Sequence, residues 1–212
     1  MIKVLLVEDD HMARQLLEIY IEKSENYELV GSVESALFAE AFCHSNKLDV
    51  ILMDVCTAMN ANGIDAARKI KKNMPHIKVI IITSQPECSF IDRAREAQVD
   101  SFWYKSATAK ELLTVMDRTI GGECVYPDTT PSLKLGDAVS EQFSDRELEV
   151  LRLVVAGDTD ASIAEKLFIS VATVKTHIQN MKNRTGFRNR TELAVKARES
   201  GLIICDQKEQ DE

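Results

Sequence analysis

The sequence contains no stretch that resembles a membrane-spanning helix, which argues against an integral membrane protein. The N-terminal segment Met1–Val7 runs directly into acidic residues and has neither the length nor the small-residue cleavage site of a secretory signal. We therefore expect a cytoplasmic protein with no membrane partner.

Cysteine is scarce, with five among 212 residues. The number is odd, the residues are widely scattered, and no pair has C-x-x-C spacing. This pattern argues against a disulfide framework or a zinc site, and we expect reduced, structural thiols. They are Cys43, Cys56, Cys88, Cys124 and Cys205.

The net charge of −8 discourages a nucleic-acid partner, but the charge is unevenly distributed. Between Thr159 and Arg198, eight Lys and Arg residues stand against three acids, a local excess of five positive charges. Such a basic segment inside an acidic protein is typical of nucleic-acid binding. The length of 212 residues and the apolar fraction of 45% favour two domains.

Residues 1–120 alternate five times between strand-like and helix-like segments. The strand-like segments are short and apolar, and they are Lys3–Val7, Glu28–Val33, Val50–Met53, Val79–Thr83 and Ser101–Tyr104. The helix-like segments lie near residues 11–23, 35–44, 64–73, 88–97 and 107–120. This (βα)5 alternation predicts an α/β domain of the flavodoxin-like kind, in which helices cover both faces of a five-stranded parallel sheet.

Polar residues follow four of the predicted strands. Glu8 and Asp9 follow the first strand, Asp54 follows the third, Thr83 ends the fourth and Lys105 follows the fifth. Because the carboxyl ends of parallel strands meet at one rim, these side chains should converge. Three close carboxylates favour a divalent cation, most simply Mg²⁺, and a lysine and a hydroxyl beside it suit a phosphoryl group. Any one of these residues alone would be explained as a solvated surface group.

Residues 2–120 resemble the receiver domain of two-component response regulators. The residues that carry the resemblance are Glu8, Asp9, Asp54, Thr83 and Lys105. It implies that Asp54 accepts a phosphoryl group from a sensor histidine kinase and that the acidic pair helps to hold Mg²⁺. By the same resemblance the threonine and the lysine bind the phosphoryl oxygens, and Phe102 is an aromatic switch residue that turns inward when the threonine moves.

The loop after Asp54 departs from this family. Cys56–Gly63 has no proline and reaches its glycine at nine residues, where the family reaches it at eight. The backbone carbonyl near Cys56 would normally complete the metal shell. We therefore expect a longer and more mobile loop, and metal affinity is the property that it most affects.

The periodic pattern ends at Gly121-Gly122, and residues 121–142 have the composition of a linker. Residues 143–204 predict an all-α domain of four helices, followed by an acidic tail at residues 205–212. Ser144 and Glu147 form a capping-box pattern at its start. The tight turn Phe168–Ser170 between two short helices is typical of a helix-turn-helix.

The helix predicted at residues 171–184 has an apolar stripe and an opposite polar face. At 100° per residue the stripe, which should face the domain core, contains Val171, Val174, Ile178 and Met181. The polar side contains Ala172, Lys175, Thr176, Gln179, Asn180 and Asn183. Such a face suits the major groove of DNA, although solvated helix faces are common. Basic residues continue toward the phosphates, and they are Lys182, Arg184, Arg188 and Arg190.

Residues 140–204 resemble the LuxR-type helix-turn-helix, and the whole chain is similar to response regulators of the NarL/FixJ class. The motifs that carry this resemblance are Arg146–Leu151, Ile163–Ser170, Thr173–His177 and Asn189–Glu192. The positions that it implies for base contacts are Lys175, Thr176 and Gln179, and those for phosphate contacts are Thr173, His177 and Lys182. The stretch Asp158–Ser162 departs from the family, because its acids stand where neutral or basic residues are frequent.

We expect a regulator, not an enzyme, in which phosphorylation of Asp54 favours a homodimer that binds a double-stranded DNA operator and controls transcription. RNA polymerase is a further candidate partner. Two rival functions stay open. One is a Mg²⁺-dependent phosphatase, which the linker and the DNA module argue against. The other is a regulator that binds DNA independently of phosphorylation, which the altered loop after Asp54 leaves open.

Overall fold

The computed structural model describes residues 1–85, 87, 89–105, 109–128 and 130–203. Cys88, Cys205, the predicted acidic tail and the start of the predicted fifth helix fall outside these ranges. The described chain forms two compact units, one of residues 1–85, 89–105 and 109–128 and the other of residue 87 and residues 130–203. Within these ranges no helix is both long and apolar enough to cross a membrane. Cys43 and Cys124 are free thiols.

The first unit is an α/β domain. Its strands are β1 (Ile2–Val7), β2 (Tyr27–Val33), β3 (Val50–Asp54), β4 (Cys56–Thr57), β5 (Ala61–Asn62), β6 (Lys78–Thr83) and β7 (Ser101–Tyr104). Its helices are α1 (His11–Glu22), α2 (Ala39–Ser45), α3 (Gly63–Asn73), α4 (Phe90–Glu96) and α5 (Ala109–Ile120). Five of the strands form one parallel sheet in the order β2-β1-β3-β6-β7. The (βα)5 prediction is confirmed, and the bounds of the five strands differ from it by no more than one residue.

Strand β3 occupies the centre of this sheet. All five of its residues are buried, as a continuous apolar run covered on both faces requires. Its neighbours β1 and β6 end beside it, with Val7 opposite Met53 and Ile82 opposite Asp54. The residues that follow these strands therefore meet at one rim.

Residues 56–62 form a small hairpin, which the sequence did not predict. Strands β4 and β5 pair antiparallel and are joined by a short turn at Ala58–Asn60. Two hydroxyl groups hold the hairpin in place. Ser35 Oγ donates to the first carbonyl of the turn (2.8 Å), and Thr57 Oγ1 accepts from the Ala36 N–H (2.9 Å). These two hydrogen bonds fasten the hairpin to the segment that precedes α2.

The second unit is a helical domain preceded by a two-stranded hairpin. Its elements are β8 (Lys134–Leu135), β9 (Ala138–Val139), α6 (Asp145–Val155), α7 (Asp160–Lys166), α8 (Val171–Thr185) and α9 (Arg190–Glu199). Leu135 and Ala138 of the hairpin are buried among the helices. The stretch assigned from sequence to the linker, residues 121–142, thus contains a segment that packs on this core.

Caps define the helices of the second unit. The Ser144 and Glu147 capping box is present, and Ser170 Oγ accepts from the Thr173 N–H (3.0 Å) at the start of α8. Gly186 ends α8 in the left-handed conformation, with φ 76°. Val171, which the sequence assigned to the buried stripe, is 40% exposed because it is the first residue of α8 and lies at the edge of the core.

Candidate functional site

Three carboxylates meet at the rim of the parallel sheet. Glu8 follows β1 and is fully buried, Asp54 ends β3 and is 7% exposed, and Asp9 faces solvent. One oxygen from each lies within 4.8 Å of the others. The next acid in the chain, Asp10, is occupied differently, because its side chain accepts from the Ala13 N–H (2.7 Å) and caps α1. The structure therefore places Glu8, Asp9 and Asp54 in one cluster, whereas Asp10 serves as the N-cap of α1.

Lys105 joins this cluster from the end of β7. Its Nζ donates to Asp54 Oδ2 (2.7 Å) and also to Glu8 Oε2. The other Asp54 oxygen accepts from the Val55 N–H (2.7 Å). The structure thus brings Glu8, Asp9, Asp54 and Lys105 together, and it orients both oxygens of Asp54.

Opposing effects set the protonation of this buried pair. Burial raises the pKa of Asp54 and the Glu8 carboxylate adds to that rise, whereas Lys105 lowers it; the resulting pKa is about 7. For Lys105, burial lowers the pKa, but the Asp54 and Glu8 carboxylates outweigh burial and raise it. A cation near these oxygens would favour the ionised carboxylate, which is the nucleophilic form.

Thr83 ends β6, the strand beside β3, and Phe102 lies on β7, the next strand along the sheet. Thr83 is buried, and its Oγ1 accepts from the Gln85 N–H (3.1 Å). Phe102 is 1% exposed, so its ring already lies inward. Tyr126 stacks on that ring with 6.3 Å between centroids, and the Phe102 N–H donates to the Val125 carbonyl (2.8 Å). The predicted switch residue is therefore in contact with the segment that follows α5.

Cys56, whose carbonyl was predicted to complete a metal shell, begins β4 directly after the acidic rim. Its thiol donates to Gln85 Oε1 (3.4 Å). Gly63 fixes the other end of the hairpin, because its N–H donates to the Val55 carbonyl (2.8 Å). The anchoring roles of Ser35 and Thr57 were not predicted. Their only sequence signal is a pair of small hydroxyl residues, which is too common to single out a site.

Helix α8 presents the face that the sequence predicted for DNA. Its core side is formed by Val174, Ile178 and Met181, all buried. The predicted contact residues that are exposed are Thr173, Lys175, Thr176, Gln179 and Asn180. His177, Lys182 and Arg190 are half-buried. Among the described residues, Lys175 has no hydrogen-bond or ion-pair partner, so its ammonium group is available.

Polar side chains on α8 bind one another. Gln179 Nε2 donates to Asn183 Oδ1 (2.7 Å), and Lys182 Nζ donates to Gln179 Oε1 (3.2 Å). Both polar ends of Gln179 are therefore engaged, and it must exchange these bonds to reach a base edge.

Arg190 is held by the start of α7 and the loop before it. Its guanidinium donates to Asp160 Oδ1 and to the Asp158 carbonyl. The sequence predicted this arginine as a phosphate contact and noted the unusual acids, but the pairing spans 30 residues and has no local signal.

Each of the two units matches the model of a known protein family. Residues 4–117 match the model of the response regulator receiver domain, and residues 141–197 match that of the bacterial regulatory proteins of the luxR family. The chain belongs to the two-component response regulators of the NarL/FixJ class, which join a receiver to a LuxR-type DNA-binding domain. These families are regulatory and are not families of classical enzymes.

Its relatives cover nearly the whole chain. The response regulator protein VraR of Staphylococcus aureus strain N315 is 34% identical over 207 residues, which span 95% of this chain and 99% of VraR. Response regulator ChrA of a heme-sensing two-component system is 25% identical, with a TM-score of 0.51 over 95% of this chain and 98% of that one. RcsB from Salmonella enterica serovar Typhimurium, solved bound to promoter rprA in the presence of phosphomimetic BeF3⁻, has a TM-score of 0.62 at 19% identity and covers 92% of this chain and 98% of that one. The likeness to RcsB concerns the fold alone.

Proposed function

We propose that Asp54 accepts a phosphoryl group from a sensor histidine kinase and that its phosphorylation controls DNA binding by the second unit. The observation that carries this proposal is the rim geometry, in which Lys105 Nζ lies 2.7 Å from Asp54 Oδ2 beside two further carboxylates. An Asp54 oxygen would form the bond to phosphorus while the P–N bond to the donor imidazole breaks and its electron pair returns to the nitrogen. Lys105 and Thr83 would then bind the phosphoryl oxygens.

Receiver domains generally bind Mg²⁺ at an acidic pocket, and the donors present here fit that ion. Glu8, Asp9 and Asp54 supply clustered carboxylate oxygens, which a small hard cation prefers. We propose these three residues and the Cys56 carbonyl as its protein ligands. Bound Mg²⁺ would neutralise charge on the phosphoryl group.

Intact-mass measurement after incubation with acetyl phosphate and Mg²⁺ tests this part of the proposal. The wild-type chain should gain one phosphate, and Asp54→Asn should gain none. Equal modification of the two proteins would reject Asp54 as the acceptor. A mobility shift on operator DNA with and without acetyl phosphate then separates phosphorylation-controlled binding from binding that ignores phosphorylation.

We further propose that α8 enters the major groove. Lys175, Thr176 and Gln179 would approach bases, with Asn180 at their edge, while Thr173, His177 and Lys182 would meet phosphates. The exposure of this face and the available ammonium group of Lys175 support the assignment. An operator-binding protein works where the DNA is, so we place it in the cytoplasm, and we keep RNA polymerase as a candidate partner.

An operator duplex selected from a random pool allows these contacts to be measured. Lys175→Ala and Gln179→Ala should each weaken specific binding by about 1 to 3 kcal/mol and relax specificity at one base pair. Lys196→Ala, on α9 and paired with Glu199, is the matched control and should change little. Unchanged specificity in both α8 variants would show that another face reads the DNA.

The proposed homodimer has support from an exposed apolar stripe on α1. Met12, Leu16 and Ile19 share one helix face and are 80%, 48% and 43% exposed. Sedimentation of the chain with Mg²⁺ and beryllofluoride should show a dimer for wild type and a monomer for Leu16→Arg. Gln15→Arg, which adds the same charge beside the stripe, should still dimerise. Dimerisation of both variants would exclude this face.

A further inference from the structure

An ion pair ties together the first residues of α7 and α9. Arg190 Nη1 donates to Asp160 Oδ1, and Nη2 donates to the Asp158 carbonyl oxygen. Both side chains are largely covered, with 34% of Arg190 and 27% of Asp160 exposed. Because two nitrogens of the guanidinium group are hydrogen-bonded, the orientation of the Arg190 side chain is fixed. The Asp160 carboxylate also compensates its charge.

The loop that accepts Arg190 is itself braced. Asp158 Oδ1 accepts from Ser162 Oγ (2.9 Å) and from Lys166 Nζ (2.5 Å). Thr159 Oγ1 accepts from the Ser162 N–H (3.2 Å) and caps α7. Moving Arg190 toward DNA would therefore break its bonds to a segment that Ser162 and Lys166 of α7 hold in place.

The ion pair lies beside the proposed DNA-reading helix. Asp160 and Arg190 line an open groove of about 590 Å³ together with Val171 and Lys175 of α8. The Asp160 carboxylate thus lies on the side of the domain where the available ammonium group of Lys175 is found. An acid there neutralises Arg190 and lowers the positive potential near α8.

We propose that Asp160 sets the DNA affinity of this domain by retaining Arg190 as a structural brace, so that Arg190 is not a phosphate contact. The inference rests on the DNA-binding function of the second unit and replaces the role predicted for Arg190 from sequence. Each phosphate that a cation neutralises releases counterions, so the number of phosphate contacts is measured by the slope of log K against log salt. Asp160 removes one such contact from the interface.

The test is the salt dependence of binding by the full-length chain to a selected operator duplex. Wild type and Arg190→Ala should have equal slopes, while Arg190→Ala should unfold at a lower temperature because the brace is lost. Asp160→Asn should steepen the slope by about 0.9, so that a fourfold rise in salt weakens its binding about 3.5-fold more than that of wild type. The double variant should return to the wild-type slope.

Two further variants serve as a charge control and as a replacement for the alanine variant. Glu165→Gln changes the net charge by the same amount on an exposed position of α7 and should leave the slope unchanged. Arg190→Gln retains a donor for the loop carbonyl and replaces Arg190→Ala if the alanine variant does not fold.

Three results would overturn the proposal. They are a shallower slope in the Arg190 variant, an unchanged slope in Asp160→Asn, and an equal steepening in Glu165→Gln. A chain that selects no operator at all would instead reject the DNA-binding function on which the inference rests.

Discussion

Gly63 lies directly against the backbone of the proposed phosphoacceptor Asp54. A Cβ atom on Gly63 would stand 1.8 Å from the Asp54 carbonyl oxygen and 2.8 Å from Met53 Cγ. The need for glycine here is a need for space, because the first turn of α3 packs on the end of β3 while the Gly63 N–H bonds the Val55 carbonyl.

Gly63→Ala should therefore harm both stability and phosphorylation. The new methyl group must displace backbone that holds Asp54, which we expect to cost about 2 kcal/mol of unfolding free energy. Urea denaturation gives the first quantity, and intact mass after acetyl phosphate treatment gives the second. Gly121→Ala, where the nearest atom would be 3.3 Å from the Cβ, is the control; it should cost much less stability and leave phosphorylation unchanged. A Gly63→Ala chain as stable and as readily phosphorylated as wild type would show that β3 and α3 separate easily.

The main sheet could be predicted because its strands carry their own signal. Val50–Asp54 is apolar at every position before its terminal acid, and a run of this kind identifies a strand buried on both faces. The hairpins β4–β5 and β8–β9 were not predicted, because strands of two residues are too short to show periodicity. Tertiary contacts stabilise them, such as the hydrogen bond of Ser35 to the β4–β5 turn.

The protonation of Asp54 gives a second prediction. Burial and the Glu8 carboxylate raise the pKa of Asp54 from 3.8 to about 7. Between these two pH values the folded protein keeps a proton on Asp54 that the unfolded chain has already lost. Wild type should lose stability as pH rises through this window, and the loss should end above about pH 7. The Asp54→Asn variant has no carboxyl group to titrate at this position, so the stability of this variant relative to wild type should rise with pH over the same range. Denaturant unfolding with a chelator present measures the difference.

Mg²⁺ supplies the matching control for this experiment. It should favour the ionised carboxylate and move the loss of wild-type stability to lower pH, with little effect on Asp54→Asn. A difference between the two proteins that does not vary with pH would show that Asp54 ionises at its ordinary pKa.

The rim residues were predictable because parallel strands bring their carboxyl ends together, whatever their separation in sequence. No comparable rule predicts the ion pairs of the second unit, which join residues far apart in the sequence. Arg184 binds Glu147 across 37 residues with two bonds of 2.9 and 3.1 Å, and Glu147 is 5% exposed. The sequence indicated only that Glu147 belongs to a capping box and that Arg184 is basic.

Arg184→Ala should consequently destabilise the second unit. It leaves a buried carboxylate with only its Ser144 cap, and loss of one partner of a buried pair costs about 3 kcal/mol. Burial raises the pKa of Glu147, but the Arg184 and Ser144 bonds outweigh burial and lower it, so the stabilisation is present above the unfolded value of 4.5 and is lost as pH falls below it. Thermal unfolding of Arg184→Ala, with and without Glu147→Gln, checks this. The double variant should be more stable than Arg184→Ala alone. If Arg184→Ala loses much less stability than about 3 kcal/mol, water solvates the Glu147 carboxylate.

The turn of the helix-turn-helix yields the last prediction. Phe168 joins α7 to α8 with φ 53°, a left-handed conformation that costs a side-chain-bearing residue about 1 kcal/mol, and its ring is 95% exposed. Phe168→Gly removes this strain without loss of burial, but the greater freedom of glycine in the unfolded state costs about 0.5 to 1 kcal/mol, so the folded chain should gain at most about 0.5 kcal/mol. Gln98→Gly is a matched control in the first unit, since Gln98 is exposed with φ 57° and should show a similar gain. If Gln98→Gly stabilises the chain and Phe168→Gly does not, the exposed ring contributes a stabilising contact that offsets the strain of its backbone.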